Sequence, residues 1–243
     1  MIVVTGLRAE ARIAAAPGVH VFACGGDVRL RADAIRNAVR SGAPGIVSFG
    51  IAGGLHASLR TGDWVVATGV MSSARNIETD PDWSNRLAQR IPGAEMGRIV
   101  SVVDAVLEPR HKRNLHVDTG AAAVDMESFQ AAELAEELGV PFAAVRVIAD
   151  PTHRRIPPAA RLGMQSDGTV AIRPILRSLL RKPSQLPLLL RVSSDATIAF
   201  RALLKGREQL GAHFASQPSP APVASEPMIS AEPERRRAEP VPA

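Results

Sequence analysis

Two acidic side chains, Glu127 and Asp150, stand at the ends of apolar segments within residues 121–151, AAAVDMESFQAAELAEELGVPFAAVRVIADP. A carboxyl group at the rim of a core can transfer a proton or accept hydrogen bonds from a ligand. Each also has an ordinary structural interpretation. Glu127 begins a helical pattern, whose dipole favours an anion. Asp150 precedes Pro151, and aspartate before proline commonly forms a turn. The two residues alone leave catalysis and local structure as alternatives.

A glycine-rich loop, SFGIAGGL at residues 48–55, follows a strongly apolar run. Its glycines would let the backbone approach a ligand closely, although a plain turn uses them equally well. The dinucleotide fingerprint has glycines at its first, third and sixth positions, and Gly50, Gly53 and Gly54 do not have that spacing. The loop therefore favours a substrate-lining backbone or a turn over a nicotinamide site.

Several other reaction classes lack their residues in this sequence. His111 and His116 are five apart and do not share a helix face, so no metal site is expected. There is no G-x-S-x-G elbow for a serine hydrolase and no G-x-x-x-x-G-K-[ST] loop for phosphate binding. The single cysteine, Cys24, excludes an internal disulfide and a cysteine-based zinc site. We therefore expect neither a metal nor a bound cofactor.

The elements that position the carboxyl groups alternate between strands and helices. This order predicts an α/β fold with a central, mixed but mostly parallel sheet flanked by helices. A helix over 127–138 has its apolar residues on one face and ends before Gly139. Asp150 then lies at the carboxyl end of the next strand, where open α/β sheets bind ligands. The predicted strands cover residues 2–6, 19–24, 45–53, 63–71, 98–107 and 141–150.

A single domain over residues 1–213 accounts for this pattern, because 243 residues with 46% hydrophobic content suffice for one filled core. Over residues 214–243, prolines, alanines and PERRRAEP replace hydrophobic periodicity, which predicts a disordered tail. The sequence has no signal-peptide pattern and no apolar run as long as the roughly 18 residues of a membrane span. We expect a cytoplasmic protein.

Positive charge is concentrated near the end of the predicted domain. Residues 171–213 hold eight basic and two acidic residues, whereas the whole chain has a net charge of +5. Within the helical part 172–213, the segment 172–192 interleaves Arg and Lys with Ile and Leu, a pattern typical of peripheral contact with an anionic membrane. A core-packed helix with solvated arginines is the alternative. Nucleic acid is not expected, since only 3% of residues are aromatic and no reading motif occurs.

The order of the motifs resembles the purine nucleoside phosphorylase and nucleosidase superfamily, in particular the branch of methylthioadenosine/S-adenosylhomocysteine nucleosidases. The resemblance covers residues 1–150 and rests on VVTGLRAEARI, SFGIAGGL, GDWVVAT, AVDMES and RVIADP. It implies a nucleoside phosphorylase-like fold, cleavage of an N-glycosidic bond and a homo-oligomer. Such cleavage passes through an oxocarbenium-like state, so the leaving base must be neutralised while the sugar gains positive charge.

The resemblance implies a role for each acid. Asp150 would protonate or hydrogen-bond N7 of the departing purine, and Glu127 would bind the ribose hydroxyls. Met126 would pack on the sugar, and Glu10 falls near the acid that activates water in the nucleosidases. For Asp150 to carry a proton near neutral pH, burial at an apolar strand end must raise its pKa from about 3.9.

Other positions would form the walls of the implied pocket. Ala52, Gly53 and Gly54 would line the substrate. Val106, in SVVDAV, stands where the nucleosidases have an aromatic side chain that stacks on the purine. Ala149 stands where the family usually has a small hydroxyl residue before the acid. Both departures predict a looser base pocket.

Phosphate is the co-substrate of the phosphorylases, which bind it with arginine. Arg8, Arg29 and Arg31 are the candidates here, and their spacing singles out none of them. Hydrolysis and phosphorolysis therefore both stay open at the level of sequence.

The basic segment 172–192, together with TGAAAVDMES and VRVIADP, is similar to the hopanoid-associated phosphorylase subgroup. That resemblance implies removal of adenine from adenosylhopane, an adenosyl lipid of hopanoid biosynthesis, at the inner membrane face. A nucleosidase acting on soluble methylthioadenosine or S-adenosylhomocysteine is the enzymatic alternative. A nucleoside-binding, membrane-associated module without catalysis is the third hypothesis.

Overall fold

The computed structural model describes residues 1–163, 168–169 and 171–216. The strands are β1 Ile2–Thr5, β2 His20–Ala23, β3 Ile46–Gly54, β4 Trp64–Met71, β5 Asn76–Glu78, β6 Glu95–Ser101, β7 Ala123–Asp125 and β8 Phe142–Asp150. The α-helices are α1 Arg8–Ala14, α2 Ala32–Arg40, α3 Pro81–Arg90, α4 Pro109–Thr119, α5 Ser128–Leu138, α6 Pro158–Gly163, α7 Ile172–Arg181 and α8 Leu186–Leu210. Two short 3-10 helices, Val28–Arg31 and Pro183–Gln185, precede α2 and α8.

Five strands form a closed circuit of pairings. β3 is parallel to β8, β8 is antiparallel to β4, β4 and β7 are each parallel to β6, and β7 returns antiparallel to β3. β1 and β2 extend the sheet from β3 in parallel, and β5 pairs antiparallel with β4. The predicted mixed, mostly parallel sheet is therefore confirmed. β3 and β8 are buried along most of their length, as expected of strands covered on both faces.

Helices cover both faces of the sheet, and the alternation along each strand assigns its side chains to one face or the other. Ile2 and Ile46 belong to the core shared with α2 and α5. Val3 and Val47 belong to the core shared with α1, α3 and α8. The helix predicted over 127–138 is confirmed as α5, which ends at a left-handed Gly139 with φ 64°.

The strand predicted over 98–107 is wrong in its second half. β6 begins at Glu95 and ends at Ser101, whose hydroxyl contacts the Asp125 carboxylate at 2.5 Å. The chain then leaves the sheet, and Val102 and Val106 line a pocket instead of continuing the strand. An apolar run marks a pocket wall here, and periodicity does not distinguish this from a strand.

The C-terminal part is helical, and the boundary predicted for the tail is too early. Phe214 is fully buried, its ring lies 5.1 Å from that of Phe49, and its carbonyl accepts a 2.6 Å hydrogen bond from Trp83 Nε1. The remainder of the predicted tail, 217–243, lies outside the described residues. Within the described part of the chain, no helix is long and apolar enough to cross a bilayer.

Candidate active site

A pocket of about 180 Å³ opens where several strands end. Its walls combine the turn after β1, the end of β3, the loop after β6, the junction of β7 with α5, and the end of β8. Most of the lining is apolar or glycine. Four carboxyl groups face it, those of Glu10, Asp125, Glu127 and Asp150.

The end of β3 runs beside the end of β8, and this pairing sets the floor of the pocket. The register shifts between Ala52 and Gly53, so that Gly53 pairs with Asp150. A side chain at Gly53 would begin 3.2 Å from Asp150 Oδ2, which explains a glycine at this position. Ala52 and Gly53 line the pocket, whereas Gly54 lies just behind it and its carbonyl accepts a hydrogen bond from Thr152 Oγ1 at 3.2 Å.

Glu10 is fixed by backbone donors although its side chain is buried. Its two carboxylate oxygens accept hydrogen bonds from Leu7 N at 2.7 Å and Ile51 N at 2.8 Å. Burial raises the pKa of Glu10, while Arg146 and the backbone donors oppose that increase. The carboxyl group is therefore held in one orientation at the pocket wall.

Arg146 organises the wall beside Glu127. It is fully buried in β8, with Nε 2.8 Å from Asp125 Oδ2 and Nη2 2.7 Å from Ser48 Oγ. Nη2 also lies 3.1 Å from Ser128 Oγ and 3.6 Å from Glu127 Oε2. A charged residue inside the otherwise apolar strand FAAVRVIAD was the available sequence signal for this network, and the sequence analysis missed it.

Glu127 precedes the first residue of α5 and is buried at the pocket wall. Burial raises the pKa of Glu127 to about 8, and the nearby Asp125 and Glu10 carboxylates add to the increase while Arg146 opposes it. A side chain at Gly6 would begin 2.5 Å from Glu127 Oε1, so the turn after β1 leaves room for this carboxyl group. Met126 lines the same pocket.

Asp150 is paired with a lysine that the sequence analysis did not single out. Lys112 Nζ, on α4, contacts Asp150 Oδ2 and lies 3.0 Å from the Asp150 carbonyl oxygen. The Lys112 side chain is 1% exposed and that of Asp150 is 16% exposed, since Asp150 faces the pocket. Burial raises the pKa of Asp150, and the Lys112 ammonium group opposes that increase.

The candidate phosphate ligands do not meet in this pocket. Arg29 lines a separate cavity between α2 and α5. Arg31 is exposed, and so is Arg8, whose neighbour Leu7 lines the pocket. Val106 is at the pocket wall, as are Glu10, Glu127, Met126 and Asp150. Among the described residues that line it, none is Lys or Arg.

Comparison with known proteins finds solved structures with a similar fold. No curated protein matches the chain. Native futalosine hydrolase of Helicobacter pylori is 16% identical, with a TM-score of 0.58 over 87% of this chain and 95% of that one. The methylthioadenosine/S-adenosylhomocysteine nucleosidase of Colwellia psychrerythraea, solved in complex with adenine, is 16% identical, with a TM-score of 0.59 over 86% and 94%. The nucleosidase of Helicobacter pylori is 18% identical, with a TM-score of 0.54 over 86% and 97%.

These structural likenesses, at low identity, establish the fold. The model of the phosphorylase superfamily matches residues 26–161, which is more than half of the chain. The chain therefore belongs to the phosphorylase superfamily.

Proposed function

We propose that the protein cleaves the N-glycosidic bond of an adenine nucleoside. The observation that carries the proposal is the arrangement of carboxyl groups around one pocket, with Asp150 beside Gly53 at the end of β3 and Glu127 and Glu10 beside the turn after β1. The leaving base needs a proton donor and the developing sugar cation needs acceptors, so this separation suits the reaction. A similar nucleosidase, from Colwellia psychrerythraea, was solved with adenine, which supports adenine as the base.

Asp150 serves the base end. Burial raises the pKa of Asp150, so a larger fraction of the carboxyl group carries a proton than in water. That proton passes to N7 of the purine as the bond between the sugar and N9 breaks. The electron pair of the broken bond stays with the base, which leaves as neutral adenine.

Glu127 and Glu10 serve the sugar end. Glu127 binds the ribose hydroxyls, and Met126 packs on the sugar face. Glu10, held by Leu7 N and Ile51 N, orients the attacking water and accepts its proton. The fixed orientation of Glu10 matters because a general base must lie within hydrogen-bond reach of the proton that it takes.

Water is the acceptor of the sugar in this proposal. A phosphate dianion would need a pairing cation in the pocket, and the described lining residues include no Lys or Arg. Burying a charged phosphate without a pairing cation costs free energy. The lining therefore favours hydrolysis over phosphorolysis.

In this proposal the substrate is a nucleoside that carries a long apolar tail, such as adenosylhopane. Two walls of the pocket lead towards the basic segment. Arg8 N, beside the pocket-lining Leu7, donates to Gly168 O at 2.9 Å, and α7 begins shortly afterwards. Ile156 also lines the pocket and is followed by α6, where Ala159 N lies 3.2 Å from Gln185 Oε1, just before α8.

The surface of α7 and the start of α8 suits an anionic membrane. Ile172, Leu176 and Leu180 form an exposed stripe at every fourth residue, with Leu180 84% exposed, and Leu186 and Leu190 continue the apolar surface. Beside the stripe lie five exposed basic residues, Arg173, Arg177, Arg181, Lys182 and Arg191. Each basic residue near an anionic surface contributes about 1 kcal/mol, so together they support weak, reversible binding. The enzyme would thus meet a lipid substrate at the inner membrane face.

Release of free adenine tests the reaction. The protein is incubated with adenosylhopane, methylthioadenosine and S-adenosylhomocysteine, each with and without phosphate. We expect adenine from adenosylhopane at a rate that phosphate does not change. Preference for the two soluble nucleosides would support the alternative nucleosidase, and adenine from none of them would support the non-catalytic module.

Sedimentation with anionic liposomes tests the membrane contact. We expect the wild-type protein to bind at low salt and to be released as screening increases. A variant with Gln at the five basic positions should stay in solution. The matched control loses the same charge elsewhere, with Gln at the exposed Arg12, Arg40, Arg90, Arg110 and Arg113. Equal binding by both variants would refute a specific membrane face.

A further inference from the structure

Lys112 lies beneath the pocket and is fully buried. Lysine is almost never fully buried unless it is paired. Here Nζ contacts the Asp150 carboxylate and lies 3.0 to 3.3 Å from three carbonyl oxygens, those of Asp150, Pro151 and Arg154. All four neighbours accept hydrogen bonds. The group is therefore a fixed ammonium cation that has no role as a proton donor to the base.

We propose that Lys112 is a positioning residue that acts on the leaving base through Asp150. It binds Oδ2 and not Oδ1 of the pocket-lining Asp150, and it stabilises the carboxylate that Asp150 becomes after it has given up its proton. This inference rests on the proposed glycosidic cleavage.

The proton balance of this step is closed. The O–H bond of Asp150 breaks as the N–H bond at N7 forms, and Asp150 becomes an anion beside the Lys112 cation. Water adds to the sugar carbon and releases one proton to Glu10. Exchange with solvent removes the proton from Glu10 and returns one to Asp150 before the next cycle, and Lys112 takes no part in this exchange.

Other charged groups around Asp150 are largely compensated. Arg154, in the loop after β8, pairs with Asp195 of α8, with Nε and Oδ2 2.5 Å apart. Arg154 favours the Asp150 anion and Asp195 disfavours it. β3 contributes only the uncharged Gly53 next to the carboxylate, and Glu10 and Glu127 stand elsewhere on the pocket lining. Lys112 is the cation in direct contact with Asp150 among the described residues.

Removing the Lys112 charge should have two linked effects. The pKa of Asp150, already raised by burial, should rise further, because an opposite charge in contact ordinarily lowers it by about 1 to 3 pH units. Activity that needs protonated Asp150 is lost as the pH rises through that pKa. The alkaline limb of the kcat profile should therefore move to higher pH. The plateau should fall about tenfold, since a weaker acid transfers its proton more slowly.

The experiment uses the full chain with Lys112→Met, Lys112→Arg and the neighbouring control Arg113→Met, which changes an exposed position on the same helix. A carboxyl carbon NMR titration follows Asp150 without substrate, and kcat against pH follows adenine release. In Lys112→Met we expect both midpoints to move up together, whereas Lys112→Arg restores most of the wild-type profile. The control should leave both unchanged.

Unchanged midpoints in folded Lys112→Met would overturn the inference and leave Lys112 as a tether of the loop after β8. If Lys112→Met does not fold, Lys112→Gln, which can still donate to the carbonyl oxygens but is uncharged, is judged by the same two midpoints. Absence of adenine release by the wild-type protein would refute the proposed reaction, and the titration would still decide whether Lys112 controls the ionisation of Asp150.

Discussion

The two ends of the pocket each join a buried cation to a carboxylate, and they differ in what the pair faces. At the end proposed to bind the sugar, the side chains of Arg146 and Asp125 are both only 1% exposed. At the end proposed to bind the base, Lys112 is equally buried, but Asp150 is 16% exposed and lines the cavity. Asp125 lines the pocket but exposes almost none of its side chain to a ligand, whereas Asp150 of the second pair is partly exposed to it.

The choice of cation fits this difference. The planar guanidinium of Arg146 serves Asp125, Ser48, Ser128 and Glu127 from one plane, and so fixes several side chains relative to each other. The ammonium group of Lys112 is a point charge next to a single carboxylate. The contacts of Arg146 therefore favour rigidity, and those of Lys112 suit the proposed control of one proton on Asp150.

The largest effect should come from replacing Asp150, the more exposed member of the Lys112–Asp150 pair. Asp150→Asn removes the proton donor and should reduce turnover by about two to four orders of magnitude. The free energy of unfolding should also fall, because Lys112 keeps its three carbonyl partners but is left buried without its carboxylate. Adenine release and urea unfolding measure the two quantities. Near-normal turnover in a folded variant would remove Asp150 from the mechanism.

Breaking the Arg146–Asp125 pair should lower the stability of the protein. Arg146→Met leaves Asp125 buried without its cation and should lower the free energy of unfolding by about 3–5 kcal/mol. Urea unfolding of the variant measures the loss. Arg98→Met, at an exposed ion pair with Glu78, is the control and should cost less than about 1 kcal/mol. Equal losses would mean that the buried network is not the structural centre of the pocket.

Protonation of Glu127 should make the stability of the protein depend on pH. Since its pKa rises from 4.5 to about 8 on folding, the folded protein holds this proton more tightly than the unfolded chain. The contribution of Glu127 to stability therefore falls as the pH rises from about 4.5 to about 8. Unfolding across this range should show a smaller loss of stability in Glu127→Gln than in the wild type.

Glu133→Gln, on the same helix, is the matched control for this pH experiment and should keep the wild-type dependence on pH. If Glu127→Gln and the wild type lost stability in parallel between these pH values, Glu127 would not hold its proton in the folded state.

The smallest effect concerns the wall of the pocket. Val106→Phe supplies a ring where the purine is expected to lie, and an aromatic pair contributes about 0.5–1.5 kcal/mol. Adenine should bind up to about tenfold more tightly, as measured by calorimetry. Val103→Phe, at a neighbouring position that is 91% exposed, is the control and should change nothing. Weaker binding in Val106→Phe would mean that this wall is already filled.

The sequence predicted the central strands well because their physics is local. β3 and β8 are mainly apolar, as strands covered on both faces are, and Asp150 is the last residue of β8. β5 and β7 were missed because three residues each carry too little periodicity to stand out. The chain between 102 and 107 was misassigned because Val102 and Val106 face a pocket.

The site was only partly predictable for a related reason. Glu10 and Glu127 were identified by resemblance to known motifs, and the structure places both at the pocket. Lys112 had no signal, since α4 is a mainly polar helix and the partner Asp150 lies 38 residues further along the chain. The burial of a lysine depends on that distant partner, which no local pattern contains.

The buried Phe214 has a consequence for how the chain is made. Its carbonyl bonds Trp83, 131 residues earlier, so one core cluster is completed by almost the last described residues. During synthesis, Phe49 and Trp83 remain incompletely covered until Phe214 has been made. Contacts so distant in sequence form late, and uncovered apolar surface promotes aggregation. A nascent chain interrupted before residue 214 would therefore be a substrate for chaperones and proteases.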